Sequence, residues 1–219
     1  MDYPSEFEAK AMICEYARRV YARSFVAGNE GNLSCRTGDN EVWVTPTMES
    51  KGFLTPDMLV KLDMEGNVLS EPYFPSSESK MHLGLYKENP SITAVIHAHP
   101  PFATAYAICG KNVPATLLPE SIFLFGKEIV SAPFAMPGTD EVPDSVKPYA
   151  RNSKALLLGN HGALTWGTTL KDAYFCMETL EQYCKVYTIA SKLIGDPKDV
   201  PDEAAEPLVM YHDMVLDVF

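Results

Sequence analysis

Two short apolar segments constrain the fold of this chain more than any other feature. Residues 93–97 (TAVIH) carry apolar side chains on both faces of a strand, which is typical of a central strand buried within a sheet. Residues 155–158 (ALLL) predict a second buried strand, and 163–166 continue as a strand after a turn. Histidines stand at or just beyond the end of both segments, so chemistry is expected there.

The segments around these strands predict an α/β protein. Helical periodicity, alternation and turn residues predict the remaining elements: helices at 5–21, 79–87, 102–108, 141–152 and 170–194, and strands at 32–36, 41–45, 58–63 and 129–132. This order predicts an α/β sandwich around a mostly antiparallel sheet. We expect one domain over residues 1–219, in which 196–219 form a C-terminal tail that folds back.

The composition narrows the function classes. With 46% hydrophobic and 21% charged residues, the 219-residue chain is typical of a packed globular protein. The net charge of −11 and the lack of a basic stripe argue against a nucleic-acid partner, although local backbone N–H groups could still bind a small anion. No apolar run approaches the roughly 20 residues that span a bilayer, so no membrane partner is expected. Five scattered cysteines without a C-x-x-C pair and an acidic first segment predict buried thiols in a cytoplasmic protein.

Three of the five histidines have a pattern typical of a metal site. His97 and His99 form an H-x-H at the end of a strand, where alternate side chains share a face. His161 sits in a GNHG turn after the ALLL strand. Three imidazoles with an open fourth position are a catalytic zinc arrangement, although each histidine alone could equally be a hydrogen-bonded core residue. His82 is predicted to be structural within a helix, and His212 to be exposed in the tail.

A carboxylate and two hydroxyls precede the predicted helix at 79–87. Ser76 or Ser77 could simply cap this helix, with Glu78 favoured by the helix dipole. Alternatively, the hydroxyls and free N–H groups hold an anion while Glu78 faces the metal as acid or base. The GNLS (31–34) and TPT (45–47) segments either supply further donors to a phosphate or close turns.

Seven motifs in order give the chain a family resemblance. They are GNLSCR (31–36), TPT (45–47), KLD (61–63), PSSE (75–78), AVIHAHPPFATA (94–105), APFAMPGT (132–139) and NHGAL (160–164). Together they resemble the class II aldolase/adducin family, nearest to its L-fuculose-phosphate aldolase branch. The resemblance implies a three-layer α/β/α sandwich with a mostly antiparallel central sheet.

The resemblance also implies a cofactor and site residues. It implies one Zn²⁺ per subunit, or another divalent metal, in a cytoplasmic homotetramer with active sites between subunits. The metal ligands would be His97, His99 and His161. Glu78 would be the catalytic acid/base and would also bind the metal when substrate is absent. The residues around the substrate phosphate would be Asn32, Thr47, Ser76 and Ser77. A tail tyrosine, Tyr211, would be a further catalytic residue.

The implied activity is that of a zinc-dependent aldehyde-lyase in carbohydrate metabolism. A ketose 1-phosphate similar to L-fuculose 1-phosphate would undergo reversible retro-aldol cleavage to dihydroxyacetone phosphate and a short aldehyde, through a zinc-stabilised enediolate. The same enediolate would serve a sugar-phosphate epimerase or a decarboxylase of a phosphorylated keto sugar acid. An adducin-like, non-enzymic module is the remaining alternative, and the three histidines argue against it.

The chain departs from the family pattern at two positions. Met48 stands where the phosphate loop usually has glycine, and a side chain there hinders close approach of the backbone to phosphate. Phosphate recognition would then be shared with Lys51. Leu118 stands where the fuculose-phosphate enzymes carry a catalytic tyrosine, with Glu120 two residues on. The proton donor and the aldehyde are therefore left open.

Overall fold

The architecture is built on one seven-stranded sheet. The computed structural model describes residues 3–217, and within them the strands are β1 (Asn32–Gly38), β2 (Glu41–Val44), β3 (Val60–Leu62), β4 (Ala94–Ala98), β5 (Val113–Pro114), β6 (Glu128–Ile129), β7 (Ser131–Ala132), β8 (Ala155–Leu158) and β9 (Gly162–Gly167). The sheet has the order β3-β2-β1-β4-β9-β8-β7, and all pairs are antiparallel except β7 with β8. Strands β5 and β6 form a separate antiparallel pair.

Helices cover both faces of this sheet. They are α1 (Glu6–Ala22), α2 (Ser79–Glu88), α3 (Pro101–Ile108), α4 (Pro119–Phe125), α5 (Glu141–Val146), α6 (Leu170–Thr188) and α7 (Asp202–Asp217). The start of α1 has a capping box, because Ser5 and Glu8 each accept a hydrogen bond from the other's backbone N–H. No helix in the described part of the chain is both long and apolar enough to cross a bilayer.

Alternation along the central strands divides the core into two layers. On β4, Ala94, Ile96 and Ala98 pack with side chains of α1, α3 and α6, whereas Val95 packs with those of α2 and α5. Strand β8 alternates in the same way, with Leu157 in the first cluster and Leu156 in the second. The fold is therefore a three-layer α/β/α sandwich with a mostly antiparallel sheet, as the sequence predicts.

The position of β4 confirms the prediction of a central strand. It lies fourth of seven, between β1 and β9, and all five of its residues are buried. The register places His97 opposite Asn32 on β1 and opposite Leu164 on β9. Consequently β1, β4 and the turn before β9 meet at one edge of the sheet.

Several predicted boundaries are wrong. Residues 129–132 do not form one strand, because β6 and β7 belong to different sheets. The helix predicted at 141–152 ends at Val146 and continues only as a 3₁₀ turn, Lys147–Tyr149, since Pro148 lacks the N–H that an α-helix needs. The strand predicted at 58–63 shortens to β3 behind a 3₁₀ turn at Pro56–Met58.

The C-terminal segment contains a helix that the sequence did not predict. Helix α7 packs against α4, which was also not predicted. His212 on α7 is therefore only 6% exposed, and its Nδ1 lies 3.2 Å from the carbonyl of Phe123. The prediction of an exposed His212 is wrong, because Gly126 has no side chain to keep the imidazole away from α4. The tail does fold back onto the body of the protein.

Candidate metal centre and acid–base site

Three imidazoles converge at the edge of the sheet where β4 ends. The Nε2 atoms of His97 and His99 are 3.0 Å apart, and the ring centroid of His161 lies 4.6 Å from that of His97 and 5.0 Å from that of His99. Ligand atoms of all three lie within 4.8 Å of one another. The H-x-H strand end and the GNHG turn thus meet as the sequence predicts, and the three side chains fit one divalent cation.

Burial keeps this cluster neutral. Burial lowers the pKa of His97 and of His161, and it lowers the pKa of His99 to about 4. The Nδ1–H of His97 donates to the carbonyl of Ala163 at 2.9 Å, which leaves Nε2 free to bind a metal. Neutral nitrogen ligands fixed by a backbone carbonyl are what a zinc site requires.

Two glycines allow the backbone to approach the cluster this closely. A Cβ on Gly162 would lie 2.5 Å from Cδ2 of His99 and 2.6 Å from the carbonyl oxygen of Ala98. Gly31 has φ of +75°, and a Cβ there would lie 2.8 Å from the carbonyl oxygen of His97. The glycines of the GNLS and NHGAL motifs are therefore needed at the site because a side chain at either position would clash with the histidine-bearing strand.

The carboxylate of Glu78 faces the three histidines. Its Oε1 lies 3.1 Å from Nε2 of His161, and its Oε2 lies 3.4 Å from Nε2 of His97. Glu78 occupies the N-cap position of α2, but its side chain makes no capping hydrogen bond. Instead, Nδ2 of Asn32 donates to Oε2 at 2.7 Å. The carboxylate is thus turned away from the helix and towards the site.

The charge of Glu78 is set by opposing effects. Burial raises the pKa of its carboxyl group. The positive charges that His97 and His161 carry when protonated and the hydrogen bond from Asn32 lower the pKa more strongly, so it lies below its ordinary value. An ionised carboxylate beside neutral imidazoles can bind a cation or accept a proton.

A buried polar row continues from Glu78 along α2. Glu78, His82 and Tyr86 follow one another at intervals of four residues, so they share one helix face. Ser34, two residues after Asn32 on β1, lies 2.7 Å from Nδ1 of His82 and 2.6 Å from the hydroxyl of Tyr86. Asn32 and Ser34 therefore fix α2 against β1 at successive turns. This row was not predicted, although the four-residue spacing of its members in the sequence indicates a shared helix face.

The loops predicted to hold phosphate lie side by side. Pro46 and Pro75 form an isolated antiparallel bridge, Ser76 N–H donates to the carbonyl of Thr45, and Thr47 N–H donates to that of Phe74. Thr47 and Ser77 are exposed, and Ser76 is partly buried. The structure brings the TPT and PSSE segments together beside Glu78, whereas Asn32 is engaged with the carboxylate itself. Their binding of phosphate stays a prediction.

The positions that depart from the family pattern have distinct surroundings. Met48 is 76% exposed and has φ of +62°, a left-handed conformation that glycine adopts readily. Leu118 is partly buried and packs against the core at the start of α4. Tyr211 stacks on Phe123 of α4, with ring centroids 4.8 Å apart. Its catalytic role stays a prediction.

Comparison with known proteins identifies the family of this chain. The sequence profile of the class II aldolase and adducin N-terminal domain matches residues 11–188. The chain belongs to this family. A 3-oxo-tetronate 4-phosphate decarboxylase from Haemophilus influenzae is 35% identical over 187 residues, which are 84% of this chain and 88% of that protein. An L-fuculose phosphate aldolase from Methanococcus vannielii is 34% identical over 76% of this chain and 88% of its own length.

Solved structures of this family share the fold. An L-fuculose 1-phosphate aldolase superposes with a TM-score of 0.85 at 30% identity, covering 93% of this chain and 95% of that one. The family therefore includes both aldolases and decarboxylases among relatives of similar closeness, so the reaction of this chain must be argued from its own residues.

Gly162→Ala is expected to abolish stoichiometric zinc binding while the protein stays folded. The added methyl group would occupy the space of the His99 ring and displace it from the cluster. Metal content by atomic emission and secondary structure by circular dichroism would be measured together. Gly110→Ala is the matched control, because a Cβ there meets nothing within 4 Å. Unchanged zinc content in Gly162→Ala would contradict the proposed packing.

His82→Gln is expected to reduce the loss in free energy of unfolding that occurs as the pH falls. Burial lowers the pKa of His82 from 6.5 to about 3, so its neutral form stabilises the fold above about pH 6.5 and that contribution is lost as the pH falls. At roughly 1.4 kcal/mol per pH unit, the stability advantage of the wild type over the variant should shrink by about 2 kcal/mol between about pH 7 and pH 5. Urea unfolding of both proteins at both pH values checks this, and an equal difference at the two values would count against it.

Proposed function

We propose that this protein is a metal-dependent class II aldolase that reversibly cleaves a ketose 1-phosphate to dihydroxyacetone phosphate and a short aldehyde. The observation that carries the proposal is the carboxylate of Glu78, 3.1 Å and 3.4 Å from the Nε2 atoms of His161 and His97. A proton-transfer group beside a triad of neutral metal ligands is what enediolate chemistry requires.

The metal would be held by His97, His99 and His161, with one Zn²⁺ or another divalent ion in each subunit. When bound, it would supply Lewis-acid stabilisation of the negative charge that develops on the substrate oxygens. Neutral imidazoles leave the ion nearly its full positive charge, which thiolates would reduce. Glu78 lies close enough to two of the histidine nitrogens to be a fourth ligand when substrate is absent.

Glu78 would move the proton. In cleavage, the hydroxyl group on the fourth carbon becomes the aldehyde carbonyl, and its proton would pass to water through the proposed catalytic Tyr211, while the carboxylate of Glu78 takes up a proton from water. The bond between the third and fourth carbons of the ketose breaks, and its electron pair is left on the third carbon, which belongs to the dihydroxyacetone phosphate fragment. The carboxyl group of Glu78 then gives a proton to that carbon, and in synthesis the carboxylate removes it. Asn32 would hold the carboxylate in place through its 2.7 Å hydrogen bond. No lysine Schiff base is needed.

The phosphate would bind at the paired loops beside Glu78. The groups proposed to surround it are Asn32, Thr47, Ser76 and Ser77. Thr47 and Ser77 are exposed and therefore accessible to a ligand. Of these residues, Asn32 would link the phosphate end of the substrate to the carboxylate that it already orients.

Decarboxylation of a phosphorylated keto sugar acid is the second candidate. The 35% identical decarboxylase and the departures at Met48 and Leu118 favour it. The same triad and Glu78 would serve, because loss of carbon dioxide also leaves an enediolate. An epimerase would use this intermediate as well, and a non-enzymic adducin-like module would have no need of the triad.

We also propose a cytoplasmic homotetramer with active sites between subunits. An apolar groove of about 360 Å³ beside the histidine-bearing strand end supports a contact between copies. Its lining residues are Pro101, Phe102, Ala105, Tyr106, Cys109 and Thr188. Sedimentation equilibrium gives the subunit number directly, and a monomer would exclude this assembly.

The zinc-loaded protein is expected to exchange a hydroxymethyl proton of dihydroxyacetone phosphate with D₂O. Exchange requires the carboxylate to remove that proton and the metal to stabilise the resulting charge. Proton NMR would follow the signal with and without a chelator. Chelator-sensitive loss supports metal-assisted enediolate chemistry on this donor, which the aldolase and the decarboxylase share. Carbon–carbon bond formation in an aldehyde screen then supports the aldolase and names the second substrate.

Absence of exchange in fully metallated protein would contradict the aldolase. Release of carbon dioxide from 3-oxo-tetronate 4-phosphate would be measured next, since this is the substrate class of the similar decarboxylase.

Glu78→Gln is expected to keep the metal but lose most of the rate, a fall of roughly 10²-fold or more. The amide retains the shape of the side chain but cannot accept the proton. His97→Ala is the companion variant and should lose metal and activity together while the fold persists. Zinc content and exchange rate would be measured for both. Metal-dependent turnover retained in Glu78→Gln would exclude the acid/base role.

A further inference from the structure

A lysine lies buried beneath the two loops that flank the proposed phosphate site. Lys51 is only 1% exposed. Its Nζ donates to the carbonyl of Asn29 at 2.6 Å and to that of Glu49 at 2.6 Å. Asn29 belongs to the loop that leads into Asn32, and Glu49 follows Thr47 by two residues. The ammonium therefore joins the segment that leads into Asn32 to the segment that follows Thr47, and both of these residues are proposed to contact the phosphate.

The charge of this ammonium has no direct counter-charge. Among residues 3–217, no carboxylate lies within 4.0 Å of Nζ, and the acceptors described are the two carbonyls. An ammonium group has three donors, so one is left for a ligand. A buried cation without an anionic partner carries a desolvation cost of several kcal/mol, which an anion bound beside it would offset.

The charge of Lys51 interacts with the charges of residues at the proposed site. Burial lowers the pKa of Lys51 to about 8, and the charges of Glu30, Glu49 and Glu78 limit this fall. The charge of Lys51 in turn contributes to the lowered pKa of His97. The carboxylate of Glu30 accepts hydrogen bonds from the backbone N–H groups of Ala27 and Gly28 and makes no direct ion pair with the lysine.

The side chain of Met48 makes a cation useful for binding phosphate at this loop. It lies between Thr47 and Glu49 in a left-handed conformation, and its Sδ accepts a hydrogen bond from Nδ2 of Asn29 at 3.4 Å. Its side chain restricts access of an anion to the backbone N–H groups of this loop. A fixed positive charge acts at longer range than an N–H dipole and does not need such close approach.

We propose that Lys51 is a substrate-binding residue that recognises the phosphate dianion, its buried ammonium supplying the charge that the Met48 loop cannot supply through backbone donors. This inference rests on the proposed function, because it assigns the phosphorylated end of that substrate.

The test measures binding of inorganic phosphate to the zinc-loaded protein by isothermal titration calorimetry. Lys51→Gln should weaken phosphate binding at least tenfold, about 1.4 kcal/mol, whereas Lys51→Arg should retain most of it. Lys61→Gln is the control, because Lys61 is partly buried and its ammonium is paired with Glu41 at 3.0 Å. Zinc content and thermal unfolding would show that each variant is folded.

A wild-type measurement covers the case in which Lys51→Gln does not fold. Phosphate affinity should fall as the pH rises through about 8, where the ammonium loses its charge beside the carboxyl groups of Glu30, Glu49 and Glu78. Phosphate affinity of Lys51→Gln within twofold of the wild type overturns the inference. Phosphate affinity that does not depend on pH, or the absence of phosphate binding to the wild type, overturns the inference as well.

These outcomes are separate from those of the proposed reaction. Lysine-dependent phosphate binding without dihydroxyacetone phosphate exchange would support the inference and reject the aldolase. Proton exchange on dihydroxyacetone phosphate, together with phosphate binding that does not depend on Lys51, would reject the inference and support the proposed reaction.

Discussion

The antiparallel pairing of β4 with β1 and β9 is the constraint on which the site depends. His97 lies opposite Asn32 on one side and Leu164 on the other. This register places the amide that holds Glu78 next to the first histidine, and the carbonyl of Ala163 next to the Nδ1 of that histidine. A shift of one residue would turn His97 to the opposite face of the sheet. The geometry of the acid–base group and of the metal ligands is thus a consequence of strand register, which the buried core on both faces fixes.

The electrostatics of the site follow from its burial. Removing the imidazoles from water disfavours their charged forms and leaves neutral ligands, while the lowered pKa of Glu78 keeps its carboxylate ionised. The result is a locally negative pocket suited to a divalent cation. Beside it, the buried ammonium of Lys51 gives a region of opposite sign. A substrate with one end chelating a metal and the other carrying phosphate is complementary to this arrangement, even though the chain as a whole has a net charge of −11.

The sequence predicted the parts of the site that depend on local pattern. The TAVIH and ALLL segments predicted buried strands, and strand geometry then placed His97 and His99 on one face, as the structure has them. The convergence of His161 followed from a turn beside a neighbouring strand. The contacts of Asn32 with Glu78 and of Ser34 with His82 could not be predicted, because they depend on how α2 docks against β1 over 46 and 48 residues of sequence separation. The burial of His212 was missed for the same reason, since it depends on packing between α7 and α4.

Relatives of similar identity to this chain carry the names of different reactions, so the choice between aldol cleavage and decarboxylation must come from the chain's own residues. Retro-aldol cleavage needs a group to take the hydroxyl proton at the carbon that becomes the aldehyde, whereas loss of carbon dioxide needs no such group. Leu118 cannot take a proton, and in this structure it packs into the core. If the reaction is aldol cleavage, that proton must pass to a group outside the metal cluster. Tyr211 is half exposed where it stacks on Phe123, so its proposed catalytic role would be exercised towards a neighbouring copy in the proposed tetramer. On this proposal aldol cleavage in this chain would depend on assembly, whereas decarboxylation would not.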